Sequence, residues 1–381
     1  MVVLNQAKRL ELLEKLVAIP SVNDHEQDVA QFLHKYLAKY GISSQLVQVA
    51  PDRACLVAQI GTGTPCLALA GHLDVVAATA SAWQSDPFVL TERNEKLYGR
   101  GASDMKAGVA ALVITLIELV HAKKLPKGQV RLLLTVGEEM EQAGSKLLYE
   151  QGYMQDVDAL LIAEPTDLKV AYAYKGLMDI SVISRGKSAH SSMPEQGYNA
   201  LEPLIEFLYQ TKKAFLKAAK PDELLGNATF NATVLKAGSQ VNSLPERATA
   251  EINVRTTPTV DNEKVQALIE LWKNKLNATG AKLTTTTYLN KVAVKKDPDS
   301  SLVHLAQALG EKYLGQTIKK IALAPVTDAS NLTLDKPATF PLAIFGPGNQ
   351  SVHQVDEYVD KSQYLAFCEL YQALIVQYLE K

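Results

Sequence analysis

Several short apolar runs in this chain lack any polar alternation, and each leads into a histidine or a carboxylate. The run CLALAG (66–71) ends at His72, with Asp74 two residues on, and VRLLLTVG (130–137) leads into the pair Glu138-Glu139. ALLIAEPT (159–166) presents Glu164, and PLAIFGPGNQSVHQVDE (341–357) presents His353. Asp104 lies in GRGASDMKAG (99–108), directly before a long apolar stretch. Unbroken apolar runs mark strands buried on both faces of a parallel sheet, and ligand groups in open α/β sheets gather outside the strands' carboxyl ends. Two histidines, three carboxylates as ligands and one spare carboxylate suit a pair of divalent, zinc-like ions bridged by one acid.

The periodicity along the chain changes twice. Leu4–Ala18 and Glu26–Tyr40 carry a helical pattern, with Gly41 placed to stop the second. Strands are predicted at 54–60, 66–71, 130–136, 159–163 and 341–345, with helices at 105–122 and 143–152 between several of them. This alternation predicts α/β layers: a mixed, mostly parallel sheet flanked by helices. From about residue 177, GLMDISVISRG alternates as a half-buried strand and Tyr198–Ala219 reads as a helix. ATFNATVLKAG and ATAEINVRTT follow as antiparallel strands, then a helix near 262–277 and a strand near 281–290. That β-α-β-β-α-β order is the split-βαβ, ferredoxin-like α+β pattern. The chain then resumes helix (301–314) and strand and delivers His353, so 177–291 is expected as a domain inserted between 1–176 and 292–381.

Each candidate has a plainer reading beside its chemical one. His72 with Asp74 could be a surface loop; as a metal site, Asp74 would take the second N–H of a ligating His72 and fix its orientation. The glycines around Asp104 could make only a tight turn. Glu138 and Glu139 repel one another unless something positive is near, or unless the turn is solvated. With a metal, one of the two is a ligand and its neighbour a proton acceptor. Glu164 could be an ordinary strand–loop junction. The five sites in register favour the chemical reading.

The segments GHLDVV, W-x-x-DPF followed by LYGRGASDMKAG, GEE, AEPT and the late H-Q-V-D-E together resemble the di-zinc amidohydrolase family. That family includes succinyl-diaminopimelate desuccinylases, acetylornithine deacetylases, carboxypeptidase G, aminoacylases and several dipeptidases. By position, the resemblance implies His72, Asp104 and Glu164 on one zinc and Asp104, Glu139 and His353 on the other, with cobalt or manganese as alternatives. It implies Glu138 as general base and acid and Asp74 as the partner of His72. The inserted domain would be the family's lid and dimerisation domain. RGKSAHSSMPEQGYNA (185–200) would supply His190 to polarise the scissile carbonyl, and SQVNSLPERATAEINVR (239–255) would supply Asn242 and Arg255 to substrate. Arg255 or Lys175 would hold a substrate carboxylate, arginine being suited by its bidentate geometry. AYKGLMD (173–179) stands where desuccinylases of the best-known type have an Arg-Arg-Gly-Ser run, and PVTDASNL (325–332) is a lean form of a Ser/Thr-Gly-Gly-Thr-Ser-Asp segment. Both departures bear on the acyl group rather than on the reaction.

The expected activity is hydrolysis of an N-acyl amino acid, desuccinylase-like in lysine and diaminopimelate synthesis. Acetylornithine deacetylation, or dipeptidase or carboxypeptidase action, is the alternative in the same chemistry. A non-catalytic binding protein on the same fold is the alternative of another class. A net charge of −2 over 381 residues, 21% of them charged, gives no reason to expect nucleic acid or an anionic membrane as partner. The N-terminus lacks the order of a secretory signal, and no stretch of about eighteen apolar residues is free of charge. Cys55, Cys66 and Cys368 form no metal or disulfide pattern. A cytoplasmic homodimer acting on a small molecule is the expectation. The sequons at Asn227, Asn231, Asn277 and Asn331 then carry no sugar.

Overall fold

The computed structural model describes residues 4–122 and 127–380. The chain divides into two compact units: one runs to Tyr172 and resumes over Lys296–Leu323 and from Thr327, and the other is Ala173–Lys295 with Ala324–Val326.

Most strands of a nine-stranded sheet lie in the first unit. Its centre is four parallel strands in the order Gly128–Thr135, Cys66–His72, Ala159–Pro165 and Leu342–Gly346. Antiparallel strands flank this centre, with Arg53–Thr62 and Ser44–Ala50 on one side and Val170–Tyr174 on the other. The unbroken apolar runs are the central strands: every residue of Cys66–His72 and of Gly128–Thr135 is buried. Ser44–Ala50, half exposed, is an edge strand whose polar residues hid it from a search for apolar runs.

The helix Lys106–His121 is buried along almost its whole length, so its sequence reads as apolar all round. Its one internal carboxylate, Glu118, is 3% exposed and accepts the Leu4 backbone N–H at 2.8 Å. Gly108 sets how closely the helix approaches the sheet, because a Cβ there would lie 2.1 Å from the Ala163 carbonyl oxygen. That approach brings the start of the helix, and Asp104 before it, to the end of the strand that carries Glu164. A three-stranded sheet of Tyr358–Asp360, Lys96–Tyr98 and Thr91–Arg93 closes the same end of the unit.

The second unit is a four-stranded antiparallel sheet in the order Thr229–Ala237, Arg247–Thr256, Gly176–Arg185 and Leu283–Lys291. The helices Leu201–Ala218 and Asn262–Ala278 pack against it over a core that includes Met178, Ile180, Phe207, Phe230, Ile252 and Ile269. With two helices interleaved, this is the split-βαβ arrangement expected from the alternation. The described helices include none long and apolar enough to cross a membrane, and all three cysteines are buried thiols.

Candidate active site

Parallel strands all point the same way, so their carboxyl ends deliver His72, Glu138-Glu139 and Glu164 to one edge of the sheet. Loops bring Asp104 and His353 to it. The ring nitrogen His72 Nε2 lies 2.9 Å from Asp104 Oδ1 and 3.8 Å from Glu164 Oε2. His353 Nε2 lies 2.9 Å from Glu139 Oε1 and 3.4 Å from Asp104 Oδ2. Two groups of possible ligand atoms result, His72–Asp104–Glu164 and Asp104–Glu139–His353, and within each group the atoms lie within 4.8 Å of one another. Asp104 belongs to both and turns one oxygen toward each.

The electrostatics match a crowd of acids around two imidazoles. Burial raises the Glu138 and Glu164 carboxyls well above the ordinary carboxylate range, and their acidic neighbours add to this. Burial disfavours the charged His72 ring, but Glu164, Asp104 and Asp74 outweigh it and hold the pKa well above the usual histidine value. Hydrogen bonds to Asp104 and Glu139 raise His353 to about 10. Asp104 resists the effect of burial through its two histidine partners and stays below the usual carboxylate range.

Asp74 orients its neighbours differently from the expectation. His72 Nδ1 bonds at 2.9 Å to the main-chain oxygen of Asp74, and the nearer carboxylate oxygen is 3.7 Å away. The carboxylate instead accepts the backbone N–H groups of Glu138 at 3.2 Å and Glu139 at 3.0 Å. The reason is reach. The strand ends at His72, and two residues on, the Asp74 side chain faces the loop after Gly128–Thr135, while its carbonyl faces the imidazole.

Several residues that frame the site had no role in the sequence reading. Glu357 is fully buried and accepts the N–H groups of Ser103 at 2.8 Å and Asp104 at 2.9 Å, with Arg100 Nη1 at 2.5 Å. Thr135 Oγ1 donates to Asp328 Oδ2 at 2.5 Å, and Thr135 O accepts the Leu73 N–H, which fixes the strand end beside His72. The Lys106 ammonium is buried on the carbonyls of Leu16 at 2.8 Å and Ile19 at 2.7 Å, and burial lowers it to about 7. Arg53 holds Glu26 and Glu141 and fills the space that a Cβ on Gly137 would need, at 2.2 Å from Arg53 Nη2. Glu357 lies in the quoted H-Q-V-D-E segment and was within reach of inspection. Arg100, Lys106, Thr135 and Asp328 likewise lie in segments noted above, whereas Arg53 carries no local signal, since its partner Glu141 is remote in sequence.

Within the second unit, His190 and Asn242 come together. Ser191 N–H bonds to Asn242 O at 3.0 Å, and His190 bridges to Ser243. Both side chains are exposed, and among the described residues His190 Nδ1 meets Ser192, at 2.8 Å from its Oγ. Arg255 and Lys175 are half-buried at the opposite end of the sheet, where Arg255 pairs in register with Leu177 and Thr229. Lys175 Nζ donates to the Asn227 carbonyl at 2.6 Å. The loop with Asn242 enters the strand at Arg247, eight residues before Arg255, so the two ends are about 26 Å apart at about 3.3 Å per residue.

Residues 68–377 match the peptidase family M20/M25/M40. A protein of Staphylococcus aureus (strain MRSA252) named "probable succinyl-diaminopimelate desuccinylase" is 38% identical over 408 residues, covering 100% of both chains. An acetylornithine deacetylase of Buchnera aphidicola subsp. Acyrthosiphon pisum (strain Tuc7) is 28% identical, covering 92% of this chain and 93% of its own. Among solved structures, an M20 family metallo-carboxypeptidase from Sulfolobus solfataricus superposes with a TM-score of 0.83 at 18% identity, covering 98% of this chain and 99% of its own. A dinuclear metal-binding peptidase of the M20 family from Bacillus subtilis superposes with a TM-score of 0.70 at 18% identity, covering 98% of both. Full-length similarity in sequence and fold, over a site of this composition, places the chain in peptidase family M20/M25/M40 and makes it a hydrolase.

Proposed function

We propose that this chain hydrolyses the amide bond of an N-acyl amino acid with the help of two divalent metal ions. The observation that carries the reading is Asp104, one carboxylate with an oxygen turned toward each of two ligand groups. The donors fit such ions: they are imidazole nitrogens and carboxylate oxygens only, and their crowding of negative charge is what two cations would neutralise. His72, Asp104 and Glu164 would hold one ion, and Asp104, Glu139 and His353 the other. Zinc suits the donor set, with cobalt and manganese as alternatives. When bound, the pair would supply Lewis acidity and make water acidic enough to be deprotonated near neutral pH.

Glu138 is the proton carrier in this reading. Asp74 fixes its backbone, and its carboxyl, raised by burial and by Glu164, takes a proton from the attacking water and returns it to the departing amine nitrogen. His190 donates to the oxygen that gains negative charge, Asn242 supports that contact, and Arg255 or Lys175 holds the substrate carboxylate.

The two ends of the second unit support a homodimer. One small substrate cannot meet groups about 26 Å apart on a single sheet, so His190 and Arg255 act at the same bond only if two copies supply them. The strand Thr229–Ala237 is an edge, exposed from Asn231 onward. The helix Leu201–Ala218 exposes Ile205, Tyr209 and Leu216 at 51%, 59% and 61%. An open edge beside an apolar helical stripe is a surface a second copy can cover isologously.

The full-length relatives favour the succinyl group of succinyl-diaminopimelate and a cytoplasmic role in lysine synthesis, with acetylornithine as the second substrate to test. The deciding experiment assays zinc-loaded and cobalt-loaded protein for amine release from N-succinyl-diaminopimelate, N-acetylornithine and a set of dipeptides. Preference for the succinyl compound by at least tenfold in kcat/KM is expected. Preference for another substrate moves the assignment within the family, and no release from any of them rejects the amidohydrolase reading.

A further inference from the structure

Gln142 holds a backbone φ of 57°, in the left-handed region that glycine occupies without strain and long side chains rarely adopt. It is 2% exposed and directly precedes the helix Ala143–Glu150, to which its side chain makes no cap bond. The local fold does not need that side chain. Backbone atoms make the turn: Gln142 N–H bonds to Gly137 O at 2.6 Å, and Gln142 O accepts Lys146 N at 3.2 Å and Asn331 Nδ2 at 3.3 Å. A glycine would keep these bonds, and that from Ser145 Oγ to Gln142 O at 3.2 Å, and relieve the strain.

Among the described residues the side chain makes one hydrogen bond, from Gln142 Nε2 to Glu138 Oε1 at 2.9 Å. Its own oxygen is buried without a partner. A strained, buried amide left half-satisfied in order to reach one carboxylate oxygen is the kind of outlier that persists for function. Asp74 already fixes the Glu138 peptide, so the freedom left to Glu138 is rotation of its side chain.

We infer that Gln142 is a positioning residue for Glu138, holding Oε1 so that Oε2 alone exchanges the proton with water and the leaving amine. The inference rests on the reading of Glu138 as general base. Because the amide is neutral, it orients the carboxylate without removing its charge, as a lysine in its place would not.

The test uses the metal-loaded enzyme with Gln142→Gly, Gln142→Met and Gln142→Glu, beside Glu138→Ala. Loss of orientation should lower kcat by about tenfold in the glycine and methionine variants, with KM and metal content unchanged. The glutamate variant, which sets a second acid against Glu138, should lose more. The glycine variant should melt at the same temperature as the parent or higher, since its backbone strain is gone. Full kcat in the glycine and methionine variants beside an inactive Glu138→Ala overturns the positioning role and leaves the base assignment standing. A fall in melting temperature that tracks the fall in kcat across all three variants shows a merely structural residue and also overturns it. An active Glu138→Ala overturns the base assignment, and the positioning role with it.

Discussion

His72 is 1% exposed and bonded through both ring nitrogens, whereas the exposed His190 ring bonds, among the described residues, to Ser192 through Nδ1. The same contrast separates the two units. In the first, Asp74, Asp104, Glu164 and Asp328 are held by backbone N–H groups, imidazoles and hydroxyls, and residues such as Glu357 and Arg53 hold the loops behind them. In the second, the residues assigned to substrate lie at two remote ends of one sheet, His190 and Asn242 exposed on a loop and Arg255 and Lys175 half-buried at the other end. A rigid cluster suits groups whose spacing must match an ion's coordination. Loosely held groups suit a surface whose partners arrive from elsewhere. The difference teaches where precision resides: in the first unit it is built into the fold, and in the second, under the proposed dimer, it would come from assembly.

The largest effects should come from the rigid cluster. Glu138→Ala is expected to lower kcat by about 10²–10⁴ while metal content stays near that of the parent. Equal loss of metal in that variant would mean that Glu138 and Glu139 have exchanged roles. Next come the ligands themselves. His72→Ala and His353→Ala should each retain about one ion per chain, and Asp104→Ala should retain less than either, because it removes the shared oxygen pair. Metal analysis at saturating zinc decides the matter; a single ion in the unaltered protein rules out the bridged pair.

The second unit breaks the comparison if its residues act as the rigid cluster does. His190→Ala should lose about 10²-fold in kcat, as removal of an oxyanion donor does, and keep both metals. Mixed with Glu138→Ala chains under conditions that exchange subunits, it should recover activity, since one site of each heterodimer then has both groups intact. Sedimentation gives the oligomeric state, and a fully active monomer removes the dimer. Proven heterodimers without recovery would place His190 on its own chain's substrate and leave the dimer untouched.

How much of this was legible depends on the range of the interaction. The parallel centre of the sheet was legible because burial on both faces leaves unbroken apolar runs such as CLALAG, and the clustering of His72, Glu139 and Glu164 was legible because such runs lead into them. Ser44–Ala50 was missed because an edge strand, half solvated, carries Gln45 and Gln48 among its apolar residues. Gln142 and Arg53 were missed because their roles are set by a backbone angle and by a gap above Gly137, and neither has a compositional trace. Asp74 was assigned to His72 from proximity in sequence, and only the geometry shows its carboxylate turned to the Glu138-Glu139 peptides.

The smallest prediction concerns two adjacent lysines that divide between the units. Lys295, in the second, is a half-buried ion-pair partner of Asp222 at 2.9 Å. Lys296, in the first, is 8% exposed and donates to the carbonyls of Lys336 at 2.6 Å and Pro337 at 3.2 Å. Burial lowers the Lys296 ammonium from 10.5 to about 8, so between those values the unfolded chain binds more protons than the folded one, and stability rises with pH. The penalty of burying the charge is present in full below about pH 8 and is gone above about pH 10.5; a shift of this size corresponds to at most about 3 kcal/mol. Asp222 has the opposite dependence. The Leu224 and Leu225 N–H groups and Lys295 outweigh its burial and lower its pKa, so its contribution is present above about pH 4 and is lost as the pH falls through the folded value. The difference in denaturation midpoint between the parent and Lys296→Met should therefore change between pH 7 and pH 10, and that between the parent and Asp222→Asn between pH 6 and pH 3. If the first difference is flat across its window, the three-carbonyl nest around Lys296, completed by Thr333 O at 3.5 Å, solvates the ammonium as well as water does, and the contrast between the two lysines is one of partners alone.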